Sequence, residues 1–148
     1  MDIALLPSTL SHSVRSGRSH LLAASSKPKK TVLVVDDHDI IANTLVMVLS
    51  AEGFHAVAAY SAQHALCLLE SEPLDLLLSD VMMPGMTGIE LAIDCTRRQL
   101  VRKVLLMSGV SSTADLLGNA RKLGYSFEVL AKPIYPTDVI ERIHALLS

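Results

Sequence analysis

The sequence has no tryptophan, and its two phenylalanines and three tyrosines make up only 3% of 148 residues. Any core must therefore be filled by Leu, Val, Ile, Ala and Met, which suits helices packed on a parallel sheet better than a β-sandwich. Cysteine is equally scarce. Cys67 and Cys95 sit in helical-looking segments and are expected to be buried, reduced thiols rather than a disulfide. No Cys/His cluster has the spacing of a zinc site. No apolar run reaches the ~18 residues of a membrane span. The first residues lack the basic and long apolar regions of a secretory signal, so the expected compartment is the cytoplasm. Large charge is also missing: the formal net charge is −2, which gives no overall pull toward nucleic acid or an anionic membrane.

What is present is half apolar, and long enough for one domain with a real core. Residues 1–30 stand apart. They are Ser-rich, without sustained periodicity, and carry five basic residues (Arg15, Arg18, Lys27, Lys29, Lys30) against one acidic. This segment reads as a basic, disordered N-terminal arm. Residues 31–148 hold eight basic and fourteen acidic residues and form the folded domain.

That domain alternates strand and helix five times. Val32 to Val35 is a β-branched run of the kind buried on both faces of a sheet, and a helix over about 38–51 follows, closed by Gly53. Its core stripe is read as Ile41, Leu45, Val48 and Leu49, with Ile40, Val46 and Met47 left over for a partner. Strands are expected at 54–59, 74–79, 103–107 and 126–131, and helices after Ser61, over 87–99, after Ser111 or Ser112, and from Pro136. Alternation of this kind implies parallel strands, right-handed crossovers and helices on both faces. The expected fold class is α/β: a three-layer α/β/α, flavodoxin-like (βα)5 unit with a parallel five-stranded sheet of order 2-1-3-4-5.

Polar residues gather where the strands end. Asp36 and Asp37 follow the first, Asp80 the third, Ser108 the fourth and Lys132 the fifth. In that sheet order they meet in one crevice at the switch point. Three carboxylates there repel one another: each like pair at ~4 Å costs roughly 4 kcal/mol at an effective dielectric of about 20. A hard divalent cation removes the conflict, and Mg²⁺ suits a few carboxylate oxygens and a phosphate. Lys132 offers a point charge for an anion and Ser108 a hydroxyl. Asp80 is the carboxylate placed to attack phosphorus. His38 follows the acidic pair, but none of the six histidines has ligand spacing and all are read as bystanders.

Val-Val-Asp-Asp at 34–37, Ser-Asp-Val-Met-Met-Pro-Gly-Met-Thr-Gly at 79–88, Leu-Met-Ser-Gly at 106–109 and Ala-Lys-Pro at 131–133 resemble the receiver domain of two-component response regulators, of the CheY-like single-domain type. The resemblance spans about residues 30–148. It implies a phosphorelay protein, not an enzyme in the ordinary sense, that takes a phosphoryl group from a sensor histidine kinase or histidine phosphotransfer protein. Asp80 would be the phosphoacceptor. Asp37, Asp80 and the Met82 backbone carbonyl would bind Mg²⁺, with Asp36 acting largely through water. Ser108 and Lys132 would contact the phosphoryl oxygens, and a cis bond is expected before Pro133. One position departs from the pattern: Val129 stands where many receivers carry an aromatic residue that reports phosphorylation.

The expectation is a stand-alone receiver that passes its signal to a protein target the sequence does not name. Two alternatives differ in class. One is a receiver-like adaptor that works without phosphate, suggested by Val129. The other is a phosphatase of the haloacid dehalogenase type, in which Asp37-His38-Asp39 would carry the chemistry and Asp37 would be the nucleophile.

Overall fold

The computed structural model describes residues 28–109 and 113–148. Most of the expected basic arm, and the expected cap at Ser111 or Ser112, lie outside that range. The elements follow in strict alternation: β1 (Thr31–Val35), α1 (Asp39–Ala51), β2 (His55–Ala59), α2 (Ala62–Ser71), β3 (Leu74–Asp80), α3 (Gly88–Arg97), β4 (Val101–Ser108), α4 (Thr113–Lys122), β5 (Glu128–Ala131) and α5 (Pro136–Leu147). All strand pairs are parallel, and the order is β2-β1-β3-β4-β5, as expected. No described helix is long and apolar enough to cross a membrane.

Alternation along the strands divides the core in two. Leu33, Val35, Leu77 and Leu106 point to the side covered by α2, α3 and α4, where they join Leu69, Leu91, Cys95 and Ala120. Val32, Val34, Leu76, Leu78, Leu105 and Met107 point the other way, toward Ala42, Leu45, Leu49, Val139 and Ile143 of α1 and α5. Val32–Val35 of β1, Leu76–Leu78 of β3 and Leu105–Met107 of β4 are buried on both faces, which is why these stretches read as continuous apolar runs.

Three local readings need correction. The buried stripe of α1 is Ala42, Leu45 and Leu49, while Ile41 is exposed. The small Ala42 takes the inward position, and that rotation turns Ile41 and Ile40 outward. Cys67 is exposed, because α2 buries Ala62, Ala65 and Leu69 and position 67 falls on the opposite side. Cys95 is buried as expected, and burial, with Asp94 nearby, pushes its thiol up to about 12. Third, α3 stops before Gln99, whose φ of 57° takes the chain into the left-handed region; Leu100 N–H closes the end on Cys95 O at 2.8 Å.

At the end of the sheet remote from the acidic crevice, one carboxylate ties three strands together. Asp75 Oδ2 accepts from Thr31 N–H at 2.8 Å and from the Thr31 hydroxyl at 3.0 Å, and Asp75 N–H donates to Thr31 Oγ1 at 2.9 Å. Arg102 of β4 reaches Asp75 Oδ1 at 3.5 Å. Partial burial raises the Asp75 pKa, but the bonds from Thr31, then Arg102 and Lys30, outweigh it and leave the carboxyl below its ordinary value. A depressed carboxylate contributes stability above its unfolded pKa and loses it as pH falls through the folded value. Asp75→Ala should therefore cost about 1–3 kcal/mol at neutral pH. In denaturant unfolding the gap from wild type should narrow below about pH 4. A gap independent of pH would contradict this assignment.

Candidate functional site

The site is built where β1 and β3 end side by side. Val35 pairs with Ser79, so Asp36 and Asp80 are the next residues along adjacent strands. Asp36 is fully buried; its N–H donates to Ala59 O at 3.2 Å, and its Oδ1 accepts from His38 N–H at 2.9 Å. Asp37 is more open, with a side chain 28% exposed. Asp80 is 4% exposed and pairs in register with Met107 of β4.

Lys132 crosses from the end of β5. Its Nζ lies 3.1 Å from Asp80 Oδ1, and its N–H donates to Ser108 O at 2.8 Å. Gly109 packs against the Lys132 stem, so closely that an added Cβ would stand 3.2 Å from the Lys132 Cβ. The expected cis bond joins Lys132 to Pro133. Burial raises the Asp80 pKa; the hydrogen bond and charge of Lys132 oppose it, while Asp36 and Asp37 reinforce it, and the net shift is upward. A carboxylate is thus buried among like charges with one lysine to hold it.

Two oxygens here stay without a hydrogen-bond partner among the described residues: Asp36 Oδ2 and Asp37 Oδ1, both buried. Orphaned buried carboxylate oxygens are costly unless something else satisfies them. Ligand atoms of Asp36, Asp37 and His38 lie within 4.8 Å of one another, a group that could hold a cation. An oxygen-rich donor set suits a hard divalent ion such as Mg²⁺, so the residues present fit the group the sequence called for. Asp80 falls outside that compact group, its Oδ1 engaged by Lys132. Met82 lies in the turn just after β3 and is 46% exposed.

Of the expected residues, Asp36, Asp37 and Asp80 stand at the adjacent ends of β1 and β3, Lys132 reaches Asp80, and Ser108 ends the neighbouring β4 with its hydroxyl on Thr113. The structure adds two that sequence reasoning passed over. His38 Nδ1 sits 3.4 Å from Asp36 Oδ1 and 3.5 Å from Asp37 Oδ1, at the rim of the site; its place next to the acidic pair was the only signal. Thr113, the first residue of α4, has its hydroxyl 2.6 Å from Ser108 Oγ, with both residues buried. Nothing in the local pattern marks a threonine five positions on as a partner of Ser108. The phosphatase alternative finds no support in this arrangement, because the lysine goes to Asp80 and not to Asp37. Val129 is half-buried and packs on the same core cluster as Leu116, Leu117 and Phe127.

Comparison with known proteins agrees with the geometry. The response regulator receiver domain matches residues 32–144. The response regulator receiver protein CpdR of Brucella abortus is 30% identical over 118 residues, covering 80% of this chain and 97% of that protein. The alkaline phosphatase synthesis transcriptional regulatory protein PhoP of Bacillus subtilis is 32% identical over 80% of this chain, but the match covers 48% of PhoP; the chain spans about half the length of such relatives. Among solved structures, a CheY-like receiver domain protein from Methanospirillum hungatei superposes with a TM-score of 0.73 at 28% identity, over 81% of this chain and 94% of that one. TrrA of Thermotoga maritima, solved with Mg²⁺ and BeF, gives 0.68 at 28% identity, over 80% and 99%.

The turn that carries Asp80 into α3 rests on Gly88. Gly88 N–H donates to Val81 O at 2.8 Å, Ser79 Oγ donates to Asp80 O at 2.9 Å, and Thr87 and Glu90 cap the helix reciprocally at 3.1 Å each. A Cβ on Gly88 would collide with the backbone carbonyl of Asp80, which cannot swing aside as a side chain can. Gly88→Ala should cost about 1–3 kcal/mol, or more if the strand end must move, and it should lower the denaturation midpoint. Unchanged stability would show that the turn is softer than this packing implies.

Proposed function

We propose, starting from the fact that this chain belongs to the response regulator receiver family, that it is a phosphoacceptor in which Asp80 takes a phosphoryl group from a histidine. The observation that carries this reading is the Asp80 carboxylate itself, buried at the end of β3, held by Lys132 at 3.1 Å and flanked by two carboxylates with orphaned oxygens.

In the transfer, an Asp80 oxygen forms a new bond to phosphorus as the donor's phosphorus–nitrogen bond breaks, and the donor histidine leaves with that electron pair. The protein's part is positioning and charge. Lys132 orients the attacking carboxylate and then holds a phosphoryl oxygen, and Ser108 donates a hydroxyl to another. Mg²⁺, held by Asp36, Asp37, Asp80 and the Met82 carbonyl, would neutralise the acidic cluster and share the charge of the phosphoryl oxygens.

The donor is a sensor histidine kinase or a histidine phosphotransfer protein, in the cytoplasm. Beside the site lies an apolar groove of about 290 Å³ lined by Ile40, Ile41, Leu45, Met107, Pro133 and Ile134, with Ile40 76% exposed on its rim. Its apolar lining would suit the apolar face of a donor helix. The signal leaves through the α4–β5–α5 side to a protein target.

Incubation with acetyl phosphate and Mg²⁺ should give an acyl phosphate that does not form when the metal is chelated beforehand and is absent in Asp80→Asn. Labelling of that variant at the wild-type level would overturn the assignment. Ile40→Glu should slow transfer from a phosphohistidine donor on the order of tenfold, the scale of an exposed apolar anchor. An unchanged transfer rate would remove α1 from the docking surface.

A further inference from the structure

A hydroxyl has one proton to give and two lone pairs to receive. Ser108 must spend its proton on a phosphoryl oxygen if it is to report phosphorylation, yet its Oγ lies 2.6 Å from Thr113 Oγ1. Both groups are at least nine-tenths buried, so water does not compete for either. Ser108 is the last residue of β4 and Thr113 the first of α4, so the bond ties the end of the strand to the start of the helix. The backbone at Ser108 is held separately, by Lys132 N–H on its carbonyl, so its hydroxyl can reorient without unpairing the strand.

We propose that Thr113 is a positioning residue that latches Ser108 in the resting state, so that phosphorylation draws Ser108 off Thr113 and frees the start of α4. This rests on the phosphoacceptor reading given above. The exchange runs one way for a physical reason: the resting bond joins two neutral hydroxyls, whereas the bond to a phosphoryl oxygen is charge-assisted and about twice as strong. Without phosphate, the Thr113 bond is kept, because breaking it gives up a buried hydrogen bond for nothing in return. The latch supplies a link from site to helix where Val129 offers no aromatic group to make one.

Removing the latch removes stabilisation from the resting state only, so the active state should be reached more easily. Beryllofluoride with Mg²⁺, a stand-in for the phosphoryl group, reads this directly. Thr113→Val should bind it about three- to tenfold more tightly, the span expected for one net hydrogen bond. Thr113→Ser, which keeps the hydroxyl, should return the wild-type affinity. In a Ser108→Ala background, Thr113→Val should have no further effect on affinity. Equal or weaker binding by Thr113→Val, or an effect that persists without Ser108, would overturn the latch. So that the test does not depend on the variants folding, amide spectra of the wild type should show Thr113 and the first turn of α4 shifting on titration; an unmoved Thr113 would overturn it too. If the wild type binds no beryllofluoride, the phosphoacceptor reading fails and the latch with it. Wild-type binding with an insensitive Thr113 removes the latch alone.

Discussion

Everything at the functional end of this molecule follows from one electrostatic conflict. The order β2-β1-β3-β4-β5 sets the ends of β1 and β3 side by side, and each ends in acid. Asp36 and Asp80 are both buried, and Asp36 and Asp37 each keep a buried oxygen with no hydrogen-bond partner among the described residues. Burial alone raises a carboxylate's pKa, and like charges raise it further; Asp80 shows both effects, opposed by Lys132. A sheet built for stability alone would not hold such a cluster. It is an arrangement that becomes favourable when a cation and an anion arrive together.

The scaffold around the conflict is rigid where it must be. Val32 to Val35 and Leu76 to Leu78 are sealed on both faces, so the strand ends cannot drift apart. The Ser79 hydroxyl holds the Asp80 carbonyl, and the room left by Gly88 lets α3 start against it. Lys132 is anchored by its backbone to Ser108 while its ammonium reaches Asp80. At the opposite end, Asp75 clasps the starts of β1 and β3. Between these fixed points sit the Ser108 and Thr113 hydroxyl pair and the exposed apolar side of α1.

Much of this was legible in the residues. Buried strands write themselves as short β-branched or leucine runs, and a polar residue ends each run; Asp36 and Asp80 stand at neighbouring strand ends, and Lys132 reaches Asp80 from the end of β5. The misreadings have physical causes. In α1 the sequence offers two overlapping apolar stripes, and the choice of Ala42 over Ile41 is made by close packing, which no helical period encodes. Cys67 looked buried because cysteine usually is, while its exposure depends on which face α2 turns inward. The bond between Ser108 and Thr113 was invisible because it is tertiary: it depends on how the chain returns from β4 into α4. His38 was passed over because its relevance is distance to Asp36 and Asp37, not ligand spacing.

Val129 remains the most informative departure from the family's pattern, since it sits half-buried where an aromatic relay is common. Under the proposed function, it would shift the burden of reporting onto the hydroxyl side of the site. All of this depends on the phosphoryl group residing on one carboxylate among three close neighbours. Borohydride reduction of the phosphorylated protein converts an aspartyl phosphate to homoserine, and peptide mapping then locates it. The account requires homoserine at position 80 and unmodified aspartate at positions 36 and 37. Homoserine at position 37, with Asp80 intact, would contradict it.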